Sequence, residues 1–506
     1  MMKHFYSFIV TCILFLPAKL FSQAGTLDKT FGDKGTELTK LNQNSGDINC
    51  MIVYADGKIL SAGYNYIIRN KADGTIDSTF GNKGKTYDGN RVVSGMVLQT
   101  DNKIVVSGNY FETVNEFVAI RYLSNGKTDP SFGTQGIAKF PVSANTAGIA
   151  LQSNGKILVA GTTIAANSKA VVVRFNTNGT IDSTFGINGI ATFALTSTVT
   201  GNLKAADIAI NSSDKILVAA NSQTKTGDVI VYRLTANGSI DNSFGTNGFI
   251  ASAQLYIASP RRCLALQPDG KIVIGGATSN DTSQFGLVRF LPNGDWDISF
   301  GHTGFTHTAF GKWFADITGI TLQPDGKIIA VGSITDYHPG NFGFAAARFS
   351  SDGSLDKTFG DNGKISRIDK TFRIHATGIG LQSTGKIITA GYADSGNVDF
   401  PERFGFVTRL NNDDNAFANS NMNNVSKATS KNVAYIFPNP VKDILHIRNI
   451  PAQSSVEIIN SNGLSVIRKN NVSYQTDITM AQLLPGIYTV RIVSGETITL
   501  LKFLKQ

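Results

Sequence analysis

Seven near-copies of one phrase, Gly-x-x-Asp-x-[Ser/Thr]-Phe-Gly-x-x-Gly, divide most of this chain into units of 49 to 59 residues. They begin at Gly25, Gly74, Gly126, Gly179, Gly238, Gly294 and Gly353. A period of that length constrains the fold more than any single segment, because each unit must be one supersecondary element stacked on its neighbours. A second phrase alternates with the first and centres on Lys58, Lys103, Lys156, Lys215, Lys271, Lys327 and Lys386. It usually reads Asp-Gly-Lys-Ile or Asn-Gly-Lys-Ile between apolar runs, which is a hairpin signal. A third run ends in Arg69, Arg121, Arg174, Arg233, Arg289, Arg348 and Arg409, and a short apolar strand follows each first phrase. Four strands per unit predict an all-β fold, a seven-bladed β-propeller of four-stranded antiparallel blades.

The ends of the repeat region predict how the ring closes. At Gly25 the chain opens with a first phrase and a fourth strand that lack three partners, and through Leu410 it finishes with three strands that lack a fourth. The N-terminal strand is expected to complete the last blade and so hide an edge that would otherwise invite pairing between molecules. The unit Arg-Phe-x-x-x-Gly-x-x-Asp-x-[Ser/Thr]-Phe-Gly, paired with Asp-Gly-Lys-Ile, resembles the delta-60 repeat family of bacterial propellers over residues 25–410. That resemblance implies the fold and says little about activity.

Flanking segments supply the remaining boundaries. Met1–Ser22 has Lys3 near its start and an apolar run over Phe5–Leu16. It is too short for a membrane span, which needs about 20 apolar residues, and reads as a secretory signal, residues 1–22. No other segment is long and apolar enough to span, so the mature chain is expected to have no transmembrane segment. The propeller is then 23–410, and the Asn- and Ser-rich stretch 411–432 is a flexible linker. From Val433 the pattern changes to strands of alternating polarity, which suggests a small Ig-like β-sandwich over 433–506. Phe437-Pro-Asn-Pro440, Leu484-Pro-Gly-Ile-Tyr488 and the end Lys502-Phe-Leu-Lys505 resemble the C-terminal sorting domain of type IX secretion substrates. The resemblance implies handling of residues 433–506 by the type IX machinery, and a chain secreted from a bacterium or attached to its outer surface.

Composition excludes some partners. The formal charge is +9 and falls to +7 without Lys3 and Lys19. Spread over some 400 repeat residues, the surplus is too thin for a nucleic-acid footprint. Cys50 and Cys263 stand at equivalent places in two repeats where the others have Gly95, Gly148, Asp207, Gly319 and Gly378. This reads as a crowded spot that accepts small side chains, not as a disulfide or a reactive thiol.

The sevenfold Asp (Asp28, Asp77, Asp129, Asp182, Asp241, Asp297, Asp356) and the sevenfold Arg look like a charged ring. A binding or catalytic site is needed once, however, while a structural constraint is needed in every blade. Their expected role is to tie the connector to its blade, with Asp accepting backbone N–H groups and Arg pairing with it. The seven Phe are expected to fill the gaps between blades. No Asp/Asn-Gly cluster has calcium-loop spacing, no His set has zinc spacing, and there is no phosphate loop or nucleophile elbow. Neither a cofactor nor a metal is therefore expected.

In a four-stranded antiparallel blade, connections one-to-two and three-to-four share one face, and two-to-three and four-to-next-one share the other. Every recurring phrase belongs to the first set, and all variation in length belongs to the second. Variable loops on a rigid frame are where binding concentrates. Those of blades five to seven gather aromatics and charges of both signs, and predict a ligand-binding patch at Trp313, Tyr337 and Arg373. Trp313 packed under its own loop is the competing reading. The leading expectation is a monomeric secreted or surface-bound interaction module whose partner is a glycan or a cell-surface protein. The alternative is an extracellular enzyme acting on polysaccharide, for which Asp316, Asp336, His338 and Glu402 are the candidates. A purely structural surface protein is a third possibility.

Overall fold

The computed structural model describes residues 23–40, 47–110, 116–193, 202–222, 228–257, 262–278, 283–336, 342–368, 372–394, 403–413, 435–437, 441, 443–460, 464–484, 486–495 and 497–505. The expected signal segment, nearly all of the expected linker, Tyr337, His338 and Glu402 lie outside the described residues. The chain divides into two compact units, Met1–Phe417 and Ala418–Gln506. Among the described residues the regular structure is antiparallel β-sheet, with no α-helix.

Unit 1 repeats one four-stranded array. Phe314–Leu322, Ile328–Thr335, Phe342–Phe349 and Lys364–Ile368 pair in chain order. Leu203–Ile210, Ile216–Ser222, Val229–Leu234 and Phe249–Ser252 do the same. In the first three repeats some neighbouring strands run on without a break. Lys85–Leu98, for example, pairs with Ile59–Asn70 at one end and Ile104–Tyr110 at the other. The array that ends unit 1 borrows its fourth strand. Arg373–Leu381, Ile387–Asp394 and Arg403–Leu410 are completed by Thr36–Lys40, in the register Thr36↔Thr408 to Lys40↔Phe404. We call this the closing array.

Each connector is built the same way. The Asp129 carboxylate accepts the N–H and the hydroxyl of Ser131, an Asx-type turn, and its other oxygen accepts Arg121 Nε at 2.8 Å. Gly133 follows at φ 54°, where a Cβ would stand 2.2 Å from Ile137 O, so only glycine fits. Arg121 Nη1 then reaches Thr177 O in the following repeat at 2.6 Å, while the guanidinium lies 4.6 Å from the centre of the Phe132 ring. The seven connector phenylalanines, Phe31, Phe80, Phe132, Phe185, Phe244, Phe300 and Phe359, are all completely buried. The chain of links returns on itself, since Arg409 Nη1 donates to Ala72 O at 2.9 Å.

The first strands of the arrays converge where Cys50, Gly95, Gly148, Asp207, Cys263, Gly319 and Gly378 stand. β-Bulges mark this level in six of them. A Cβ on Gly95 would come within 2.9 Å of Ile149 Cγ2, and one on Gly378 within 2.7 Å of Met51 Cγ, which explains the small side chains. Cys50 and Cys263 are buried free thiols. Several bulge residues bond to the next array: Asn49 Nδ2 to Val93 O, Thr318 Oγ1 to Ala376 O and Thr377 Oγ1 to Ile48 O. One array departs from the pattern. Its first strand is split into Leu255–Tyr256 and Leu264–Leu266 by an inserted loop. Asn221 clamps one end of that loop through Ile257 (N–H to Oδ1 3.0 Å), and Asp207 the other through the Leu264 N–H (3.0 Å).

In unit 2 the strands order as Tyr435–Phe437, Ile444–Ile459, Gly486–Ser494 and Thr497–Lys505, with Ser465–Thr479 also paired to Ile444–Ile459. Bulges bend the long central strand, and its inward residues Leu445, Ile447, Val456 and Ile458 pack with Val490, Ile492 and Phe503. Tyr488 stacks on Phe503 at 5.7 Å and donates its hydroxyl proton to Leu484 O at 2.9 Å.

Candidate functional site

The repeated charges are occupied in holding the frame. In the connectors burial pushes the Asp carboxyls up, but hydrogen bonds from the Ser/Thr two residues on and the adjacent Arg outweigh it. Asp129 and Asp356 are held down to about 2, and Asp28, Asp77, Asp182, Asp241 and Asp297 are also lowered. One partner was not anticipated. The lysine of the second phrase reaches the same carboxylate, as in Lys156–Asp182 at 2.7 Å and Lys215–Asp241 at 2.8 Å. The two phrases alternate in sequence because they meet in space.

A different arrangement stands at the variable-loop end of the closing array. Arg373, Asp394 and Arg403 are register partners on three adjacent strands, at the first or last residue of each. Two residues further in, His375 faces Tyr392 across the same ladder, and their rings stack at 4.6 Å and 17°. Phe342, from the adjoining array, stands 5.0 Å from the His375 ring and 5.6 Å from the Arg373 guanidinium carbon. Arg403 Nη1 makes a two-pronged contact with Asp47 at 2.9 and 3.0 Å, and its guanidinium carbon lies 5.9 Å from the Tyr392 ring centre.

Burial pushes the His375 imidazole below its usual range, opposed by the carboxylate of Asp394, whose Oδ2 is 3.9 Å from Nε2. The ring is thus favoured in its neutral form. Arg373 Nε and Arg403 Nε are both buried with no hydrogen-bond acceptor among the described residues. Buried N–H donors without acceptors are uncommon and costly. Here two such donors, on the strands either side of Asp394, lie beside three aromatic rings, a set of groups suited to an anion with an apolar face.

Among the described residues singled out in the sequence, Arg373 alone belongs to this cluster. Trp313 is half-buried on its own turn, bridged to Phe310, and packs against the core that holds Phe285 and Phe310. Asp316 lies within the strand Phe314–Leu322 opposite Ser333, and Asp336 follows the strand Ile328–Thr335. Sequence reasoning missed His375, Tyr392 and Asp394 as a set. The available signal was the density of charged and aromatic residues at both ends of 367–403; the pairing register that joins them is not visible along the chain.

Residues 55–80, 99–132, 152–185, 212–244, 267–300 and 323–359 match the domain of unknown function (DUF5122) beta-propeller family. Residues 435–506 match the secretion system C-terminal sorting domain. The chain is an all-β protein that carries six DUF5122 propeller-type repeats. It ends in a sorting domain that marks it for type IX secretion, with attachment to the outer cell surface or release. No curated protein matches the sequence. Among solved structures, PorZ, a surface component of the type-IX secretion system of Porphyromonas gingivalis, is similar over 92% of this chain and 70% of its own, at 12% identity and a TM-score of 0.32. A protein of unknown function from Dyadobacter fermentans aligns over 74% and 98% at 13% identity and TM-score 0.39. A polysaccharide lyase of family PL25, an ulvan lyase, aligns over 76% and 95% at 10% and 0.41. Likeness at this level does not extend to activity.

Proposed function

We propose that unit 1 is a seven-bladed propeller and unit 2 a small β-sandwich, and that the secreted chain is a binding module for an acidic glycan. Seven blades are supported by the cyclic links and by the family matches. Six matches run from a second phrase to the next first phrase, while the seventh such pair, Lys386 with Gly25, is split between the ends of the repeat region. The binding role rests on one observation: the unpartnered Nε–H groups of Arg373 and Arg403 flank the His375, Tyr392 and Phe342 rings. Sugar rings present apolar faces to aromatics, and uronic or sulfated sugars add the anion that guanidinium groups recognise.

Retention of the full chain on immobilised polygalacturonate, with dextran as the neutral control, tests the reading. Arg373→Ala and Arg403→Ala should each weaken retention about tenfold, the loss expected for one charge-assisted contact. Equal retention on dextran, or no change in either variant, would sink it.

A second reading is favoured by the neutral imidazole stacked on a phenol between two guanidinium groups. That set suits proton abstraction beside a carboxylate that the arginines neutralise, followed by elimination. An absorbance increase from unsaturated product when acidic polysaccharide is added would support an enzyme; none, with binding intact, leaves the module.

A further inference from the structure

The opposite face of the closing array lines a half-open cavity of about 220 Å³. Across it runs a row of hydroxyls, since Thr36, Thr408 and Thr389 are register partners on three adjacent strands. Thr36 Oγ1 and Thr408 Oγ1 are 3.0 Å apart. Thr389 is completely buried, and its Oγ1 has no hydrogen-bond partner among the described residues. At the places of Thr389 and Thr408, five other arrays carry the apolar pairs Ala330/Ala347, Ile274/Val288, Val218/Tyr232, Val159/Val173 and Val106/Ile120. The first repeat has Ser61 and Ile68 there. Ser61 Oγ is likewise buried without a partner among the described residues, but the full row of threonines occurs once in the sequence.

The remaining walls are apolar, chiefly Phe344, Phe404 and Phe406, and Leu38 stands at the edge with 59% of its surface exposed. Arg367 lines the same cavity, is exposed, and has no ion pair among the described residues. Its register partner is Phe344, which ties the charge to the aromatic wall.

We propose that this cavity binds a small amphipathic carboxylate carrying a single ring. The ring would lie between the phenylalanines, a polar substituent would point towards the threonine row, and the carboxylate would pair with Arg367. Size agrees, because a cavity of about 150 Å³ holds a benzene ring, leaving room here for a short substituent. This site is independent of the acidic-glycan reading, which concerns the other face of the same strands.

Titration of the full chain with 4-hydroxyphenylacetate, followed by calorimetry or ligand-detected NMR, tests the proposal, with benzyl alcohol as the uncharged control. Saturable binding with a dissociation constant of about 1 mM or tighter is expected. Thr389→Val installs the residue that Val106, Val159 and Val218 already provide elsewhere, so the fold is retained, as a melting curve would verify. It should weaken the carboxylate about tenfold, and Arg367→Ala should do the same while leaving benzyl alcohol unaffected. The proposal is overturned by absence of saturable binding, or by unchanged carboxylate affinity in either variant.

Discussion

Arg409 Nε lies 3.0 Å from Asp28 Oδ2, joining the last strand of the repeat region to the connector that opens it. In the six uninterrupted repeats the same contact is a hydrogen bond eight residues long in sequence, as in Arg174 to Asp182 at 2.7 Å. Here Nε lacks hydrogen-bond geometry and the pair is ionic only. The closure therefore copies the internal joints with a slightly poorer fit. Asp28→Ala should cost about 3 kcal/mol by leaving a largely buried guanidinium without its partner. Urea denaturation would measure the loss. Removing residues 23–40 altogether should expose Arg403–Leu410 as an open edge, and light scattering should then show self-association.

The connector phenylalanines act as plugs. Phe244 is completely buried in the core with Leu255, Ile274 and Phe290, so Phe244→Ala should destabilise unit 1 by about 3–5 kcal/mol. Ile187, 78% exposed in the preceding connector, should change stability by less than about 0.5 kcal/mol when replaced by Ala. Equal effects of the two would refute the assignment of the phenylalanine.

Much of this frame was legible because a repeat states each constraint seven times. The Asp, Arg and Phe of the connector, and the out-of-phase strand at Thr36–Lys40, could be read from spacing alone. The site was less legible because it depends on register. Arg373, Asp394 and Arg403 stand on three different strands and become adjacent only once those strands align. Trp313 drew attention through its residue type, yet a large ring on a short turn gains more by packing against Phe310 than by facing solvent. The threonine row at Thr36, Thr389 and Thr408 was visible only as a departure from the apolar consensus at matched positions.

Acid should unfold unit 1 through its connectors. The pKa values of Asp129 and Asp356 in the folded chain are about 2, against an ordinary 3.8. Because these values are depressed, the stability they contribute is complete above pH about 4 and is lost as the pH falls towards 2. Unfolding free energy measured from pH 4 to 2 should decline steeply, and Asp129→Asn should flatten part of that decline.

Buried thiols at the convergence of the arrays should be silent in the native state. Burial, and then the neighbouring Asp207, push the Cys263 thiol well above its usual range. A thiol reagent at pH 8 should label neither cysteine until denaturant is added. Gly95→Ala, by contrast, should destabilise by about 1–3 kcal/mol, since its Cβ would meet Ile149.

Asp207 reverses the acid behaviour of the connectors. Burial pushes its carboxyl up to about 6, and hydrogen bonds from the Leu264 and Ile208 N–H groups and the charge of Arg262 only partly offset this. A raised folded value means that its contribution is fully present below the unfolded value of 3.8 and is lost as the pH rises through 6. Stability should therefore fall between about pH 4 and 6, in the window where the connector aspartates are already ionised. Asp207→Asn keeps a single acceptor and cannot titrate, so denaturation curves of that variant should be flat across the window while the parent's slope downwards. A slope that survives the substitution would place the titrating group elsewhere. The acid belongs where the first strand of one array is split, because the N–H of Leu264 needs an acceptor that the interrupted ladder leaves to Asp207.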